Sequence, residues 1–256
     1  MRTVCLVVVV WRIHPDFPCL IAANRDEFHA RPTEAAHFWQ DEPQILAGRD
    51  LTAGGTWLGI TRTGRFAALT NYRSSVQQRN DAPSRGGLVA SILASTDSIA
   101  VELERLRRIS PDYNGFNVIF CDGTRLGIFE SSSGAGRELE PGIYALSNHL
   151  LDSPWPKVRN AKNRVAGALS QISDSAPLLA LLRDDRPAAD AELPSTGVSI
   201  EWERLLSSAF IRSADYGTRC STVIRIDRFD QAWFDEWSWD AAGVEAGRVS
   251  FKFELQ

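Results

Sequence analysis

The chain reads as an α+β protein whose sheets are antiparallel. Three observations lead there. Short apolar, β-branched runs open the chain and recur around turn dipeptides, helical periodicity is confined to separate stretches, and alternating strands return at the end. Nowhere do strands and helices alternate in the βαβ manner that builds a parallel sheet.

Residues 4–11 and 19–23 flank the breaker segment His14-Pro15-Asp16-Phe17-Pro18, which predicts an opening β-hairpin. Residues 56–61 and 65–72 turn about Thr63-Gly64. Residues 116–121, 125–130 and 143–147 continue the meander around Asp122-Gly123 and Pro141-Gly142. Helices are expected over 87–94, 98–109, 157–172 and 177–183. In the second of these, Val101, Leu103, Leu106 and Ile109 fall near one face, and 102–108 form a wet face with ion pairs. Residues 184–199 are poor in aliphatics and predict a long exposed loop before a short helix at 202–210. Strands resume at 218–227 and at 249–255, where Val249, Phe251, Phe253 and Leu255 are expected to be buried between wet Ser250, Lys252 and Glu254. Trp233, Phe234, Trp237 and Trp239 read as a packing cluster. Gly54-Gly55 reads as a tight turn into a strand, because no Gly-Lys-Ser/Thr follows to make a phosphate loop.

Composition narrows the partners. The 256 residues carry 28 basic and 32 acidic side chains, a net charge of −4, so there is no general attraction to phosphate backbones or anionic membranes, and nucleic acid is not expected as a partner. The longest apolar run, 4–11, is far short of the ~20 residues that span a bilayer, and no small-residue cleavage site follows it. Four cysteines without a CxxC pair, and no Cys/His cluster at ligand spacing, give neither a disulfide framework nor a metal site. With no repeat or linker, a single cytoplasmic domain spanning 1–256 is expected, with a small-molecule substrate or a hydrophobic ligand as its partner.

Seven strings occur in order: Ala22-Ala23-Asn24-Arg25-Asp26-Glu27-Phe28, Gly54-Gly55-Thr56-Trp57-Leu58-Gly59, Ala68-Leu69-Thr70-Asn71-Tyr72, Tyr113-Asn114-Gly115-Phe116-Asn117, Leu146-Ser147-Asn148, Ser153-Pro154-Trp155-Pro156-Lys157 and Tyr216-Gly217-Thr218-Arg219. Together they resemble the NRDE family, the transport and Golgi organisation proteins, over nearly the whole chain. More distantly, the chain resembles the cysteine-type N-terminal-nucleophile amidases, the penicillin V acylases and bile salt hydrolases. That resemblance implies a four-layer sandwich of two antiparallel sheets between helical layers. It also implies catalytic roles for Cys5 as nucleophile, Asp26, Asn71, Asn148 and Arg219. Where those amidases read Arg-Asn-x-Asp this chain reads Ala23-Asn24-Arg25-Asp26, so Arg25 stands in only if a two-residue shift on one strand face serves the same site. Asn24, Tyr72 and His149 are the expected substrate contacts.

An N-terminal cysteine joins a thiol to an amine of pKa about 7.7 to 8.0 that can take its proton near neutral pH. Asn71 and Asn148 would donate to the oxyanion, Asp26 would orient the amine, and Arg25 or Arg219 would lower the thiol pKa. Met1-Arg2-Thr3-Val4 places the Cys5 nitrogen in a peptide bond, so this chemistry calls for loss of four residues or for translation that starts at the Val4 codon. The implied activity is hydrolysis of a linear amide or acyl compound, with no cofactor required. The alternative that the resemblance carries is a non-catalytic carrier of haem, acyl-CoA or lipid.

Overall fold

The computed structural model describes residues 5–73 and 78–256, so Met1–Val4, including the first residue of the expected opening strand, lie outside it. The chain opens with β1 (Cys5–Trp11) and β2 (Cys19–Phe28), joined as an antiparallel hairpin in which Cys5 pairs with Arg25 and Trp11 with Cys19. The breaker segment closes it, with the Arg12 N–H donating to the Pro18 carbonyl at 2.7 Å. Next come β3 (Thr33–Phe38), β4 (Ile45–Asp50), β5 (Leu58–Thr61) and β6 (Phe66–Asn71), then α1 (Gly86–Ala94) and α2 (Ile99–Ile109). The strands β7 (Phe116–Cys121), β8 (Leu126–Glu130), β9 (Ala135–Leu139) and β10 (Gly142–Leu146) follow. After α3 (Pro156–Ala168), α4 (Ala176–Leu182) and α5 (Ile200–Leu205), the chain ends in β11 (Tyr216–Ile226), β12 (Gln231–Trp239) and β13 (Glu245–Glu254).

Among the described residues these elements form two compact units. The first, residues 5–30, 73 and 141–252, is built on a six-stranded sheet of order β10-β1-β2-β11-β12-β13 with α3 and α4 against one face. Its core interleaves Leu6, Val8 and Val10 of β1 and Leu20 and Ala22 of β2 with Val158, Ala161 and Val165 of α3 and Leu178, Leu181 and Leu182 of α4. The second, residues 31–72, 78–140 and 253–256, is a seven-stranded sheet running β3 to β9 in chain order, with α1 on β4–β6 and α2 on β8 and β9. The expected α+β class with two antiparallel sheets and covering helices is therefore what the chain adopts. No helix of the described residues is long and apolar enough to cross a membrane.

Several elements differ from expectation. β3, β4, β9 and β12 were not anticipated: β3 and β9 are short, largely exposed outer strands of their sheet, β4 is buried over only half its length, and in β12 the aromatic residues Trp233, Phe234, Trp237 and Trp239 read as a packing cluster and not as a strand. On α2 the buried face is Ile99, Glu102, Leu103 and Leu106, while Val101 is half exposed. Glu102 is thus not on a wet face; its buried carboxylate is held by Arg105 at 2.7 Å. Along 249–255 the alternation is present, but Val249, Phe251 and Phe253 are only half-buried. The helix expected at 202–210 is shorter and begins earlier, at Ile200, where the Ser199 hydroxyl accepts from the Trp202 N–H.

Two local features give tests of the packing. At Gly55 an added Cβ would sit 2.4 Å from the Gly86 carbonyl carbon, so two backbones meet there with no room for a side chain. Asn24, fully buried in the first unit, donates its amide to the Leu182 and Ala209 carbonyls at 2.8 and 2.7 Å, and its carboxamide oxygen accepts from the Ser221 hydroxyl at 2.6 Å. We expect Gly55→Ala to cost about 1–3 kcal/mol by forced backbone movement. Asn24→Ala, which orphans two buried carbonyls at about 1–3 kcal/mol each, should lower the thermal midpoint further. Denaturation of both variants beside the parent measures this.

Candidate functional site

In the first unit the register of three strands sorts the side chains onto two faces. Cys5 stands opposite Arg25, so both point to one face, and their neighbours Leu6 and Asn24, also paired, point to the helix-covered face. Asp26, two residues beyond Asn24, therefore lies on the helix side. On β11 the pairing shifts between Thr218 and Cys220, so that Thr218 meets Asp26 while Cys220 meets Arg25 and Ser221 meets Asn24. The extra residue of this β-bulge is Arg219. It brings Thr218 and Ser221, an odd number apart, to the same face: Thr218 Oγ1 donates to Asp26 Oδ1 at 2.7 Å, and Ser221 to Asn24.

Cys5 itself is buried. Its backbone N–H donates to Asn148 Oδ1 at 3.2 Å, and its carbonyl accepts from the Ser147 hydroxyl at 2.8 Å. The single Ser147 hydroxyl proton is shared with Asn148 Oδ1 at 3.2 Å, and the Cys5 N–H is the donor that holds the carboxamide oxygen toward Cys5. Burial pushes the thiol up to about 12, and the Asp26 charge adds to that; the Asp26 backbone N–H and the Arg25 guanidinium pull the other way without prevailing. Arg25 lowers the thiol pKa in the direction expected, and Arg219 is not among the main groups that act on it; desolvation outweighs the cation, and the resting group is the thiol.

Arg25 is buried and lies 3.7 Å from Glu27 across the same face. Arg219 donates to the Phe28 carbonyl at 2.8 Å, and burial together with the nearby Arg25 lowers its pKa. The expected substrate contact Asn24 instead serves as the tether already described. His149 Nδ1 is 2.8 Å from the Ser153 hydroxyl, and its ring packs on Trp155 at 5.4 Å. Asn71 and Tyr72 belong to the second unit, where Asn71 ends β6 opposite Phe116 and the Tyr72 N–H donates to the Gly115 carbonyl. The first unit therefore brings together Cys5, Arg25, Asp26 and Asn148, with Arg219 beside Arg25.

Two participants escaped the reading of the sequence. Lys157, second residue of α3, is buried to 4 % exposure with its ammonium 4.0 Å from Asp26 Oδ2. Arg73 donates its backbone N–H to the Asn148 carbonyl at 2.6 Å, lays its guanidinium over Trp155 at 5.0 Å and pairs with buried Glu203 at 3.1 Å, which stiffens the segment that presents Asn148. Lys157 closes the string Ser153-Pro154-Trp155-Pro156-Lys157, where it reads as a helix start. The signal that marks it is scarcity, since the chain has 25 arginines and three lysines.

With that geometry established, comparison with known proteins adds the lineage. A family model described as Transport and Golgi organisation 2 matches residues 4–241. The Transport and Golgi organization protein 2 homolog of Bos taurus is 39% identical over 243 residues, covering 85% of each chain. The Transport and Golgi organization protein 2 of Drosophila melanogaster is 30% identical over 245 residues, covering 86% of each. Among solved structures, the Caenorhabditis elegans N-acylethanolamine-hydrolyzing acid amidase ortholog aligns with a TM-score of 0.49 at 9% identity, over 86% of this chain and 92% of that one. Its ordered motifs and this match over almost its entire length show that the chain belongs to the Transport and Golgi organisation 2 family.

Proposed function

We propose that the first unit is a thiol hydrolase of a linear amide or acyl compound, with Cys5 as nucleophile. The observation that carries this reading is the convergence on Cys5 of three unlike groups from distant parts of the chain: the Asn148 carboxamide on its nitrogen, the Arg25 guanidinium on the thiol's face of the sheet, and Asp26, whose backbone N–H reaches the thiol while its carboxylate acts on it from the other face. Cysteine on a Val-rich strand is ordinarily a small buried hydrophobe. Here its nitrogen and carbonyl are both gripped by side chains of residues 147 and 148, more than 140 positions away.

In a chain led by Cys5 the nitrogen held by Asn148 Oδ1 is an amine. Its remaining lone pair takes the thiol proton, the sulfur attacks the acyl carbon, the amine returns the proton to the leaving group, and water activated by the same amine then cleaves the thioester, releasing the acid and restoring the thiol. The Asn148 NH2 then supplies a donor for the oxyanion. A thiol held near pKa 12 needs such a partner, because at neutral pH it has almost no thiolate of its own.

A second reading is favoured by the same burial. With residues 1–4 attached, the Cys5 nitrogen is a peptide N–H and lacks that lone pair, which suits a non-catalytic carrier of haem, acyl-CoA or another hydrophobic metabolite.

Labelling with a thiol-acylating β-lactone separates the two. We expect a chain beginning at Cys5 to be labelled at a rate that rises with pH through the amine pKa of about 7.7 to 8.0 and then levels, because the amine must be neutral to accept the proton. Cys5→Ala should abolish labelling and Cys121→Ala should leave it intact. Unlabelled Cys5 together with saturable binding of haem or palmitoyl-CoA supports the carrier. Once a substrate is in hand, Asn148→Ala should lower kcat about 10²- to 10³-fold.

A further inference from the structure

Beneath the Cys5 centre, on the helix side of the sheet, two buried charges meet without a hydrogen bond. Asp26 Oδ2 and Lys157 Nζ lie 4.0 Å apart, and neither atom has a hydrogen-bonding partner among the described residues. Asp26 is pinned from the other side by Thr218, so the carboxylate is fixed and the unsatisfied oxygen is the one that faces the lysine. An ion pair at this separation in a dry interior recovers only part of the desolvation of its members. One of them must then give up its charge readily.

Lysine is the member suited to do so. An arginine stays protonated under all ordinary conditions, whereas a buried lysine exchanges its proton. In a chain with 25 arginines and three lysines, the choice of lysine at the buried position is informative. Its place in the first turn of a 13-residue helix adds to the effect, because the helix dipole opposes a cation there. Burial drives the Lys157 pKa down, Arg73 lowers it further, and Asp26 and Cys5 oppose that; burial likewise drives the Asp26 carboxyl up.

A proton that comes and goes requires water. Lys157 borders a small cleft in the first unit, lined also by Asn160, Ala161 and Arg164 of α3, Leu181 of α4, and Ser207 and Ala209. Arg164 and Arg186, which also line it, are exposed and ion-paired with Asp184, so the cleft runs from Lys157 to polar surface. The charged and titratable groups facing the pair are Cys5 from β1, Arg25 and Glu27 from β2, Arg73, and across the cleft Arg164, Asp184 and Arg186.

We propose that Lys157 is a positioning residue of the Cys5 centre that exchanges its proton with water through this cleft and so sets how far the Asp26 charge beneath Cys5 is offset. When Lys157 carries its proton, Asp26 is held as the carboxylate beneath Cys5. When the proton leaves to water, Asp26 has no counterion on that side, and its uncompensated negative charge holds the thiol up further. The purpose of this exchange rests on the hydrolase reading; the exchange itself does not.

Three lysines make the test direct. Lysine-selective 13C and 15N labelling gives three side-chain signals in the intact chain, to be followed against pH. Lys157 should titrate at least about one unit below the free-lysine value of about 10.4. Asp26→Asn, which removes the favourable anion, should move the Lys157 midpoint lower still. A Lys157 signal that titrates at the free-lysine value, or does not respond to Asp26→Asn, overturns the proposal. A second arm reads the β-lactone labelling rate of Cys5 in Lys157→Arg, which retains a cation that cannot leave. We expect the alkaline inflection contributed by Lys157 to vanish from that profile while the folded midpoint stays near the parent's. An unchanged profile overturns the link to Cys5. Absence of labelling in the parent instead counts against the hydrolase reading and leaves the titration result standing.

Discussion

The registration of β1, β2 and β11 is the constraint on which the rest of the first unit depends. Because side chains alternate across a sheet, pairing Cys5 with Arg25 assigns the thiol to one face and Asn24 and Asp26 to the other. The bulge at Arg219 then resets β11 so that Thr218 and Ser221 both reach the helix side. A slip of one residue in β1 would put Leu6 in the place of the thiol and bury the sulfur among Val158, Ala161 and Leu182. The apolar residues that fill the helix-side core are thus also what positions the chemistry.

That arrangement forces charges into a dry interior. Asp26 and Lys157 on one face, and Arg25 and Glu27 on the other, are all nearly excluded from solvent. Buried ion pairs contribute little net stability, so their presence is better accounted for by what they do to neighbouring groups than by what they add to the fold. Around Cys5 the outcome of the contest is clear: desolvation exceeds the pull of Arg25, and the thiol rests protonated.

Much of this was legible beforehand, and for physical reasons. The opening hairpin declared itself through an apolar run broken by His14-Pro15-Asp16-Phe17-Pro18, and the Thr63-Gly64 turn through a glycine that adopts φ +76°. Cys5, Arg25, Asp26 and Asn148 were reachable because motif order carries over positions that periodicity does not see. Lys157 was not, since its role comes from the helix packing it under β2 and no local pattern encodes that contact. Asn24 illustrates the converse: it sits among the charged residues of the family string, yet the strand's alternation turns it toward the Leu182 and Ala209 carbonyls. Outer strands such as β3 and β9 went unseen because exposure removes the apolar alternation by which a strand is recognised.

The last strand, β13, forms one border of the six-stranded sheet, the position at which another chain could add itself. Glu245, Arg248, Lys252 and Glu254 are spread along that border, so an incoming strand would have to strip water from charges of both signs before it could bond. The half-buried Val249, Phe251 and Phe253 between them give the strand enough grip to stay seated without making its outer rim adhesive. The sheet therefore ends in a rim that resists templated aggregation.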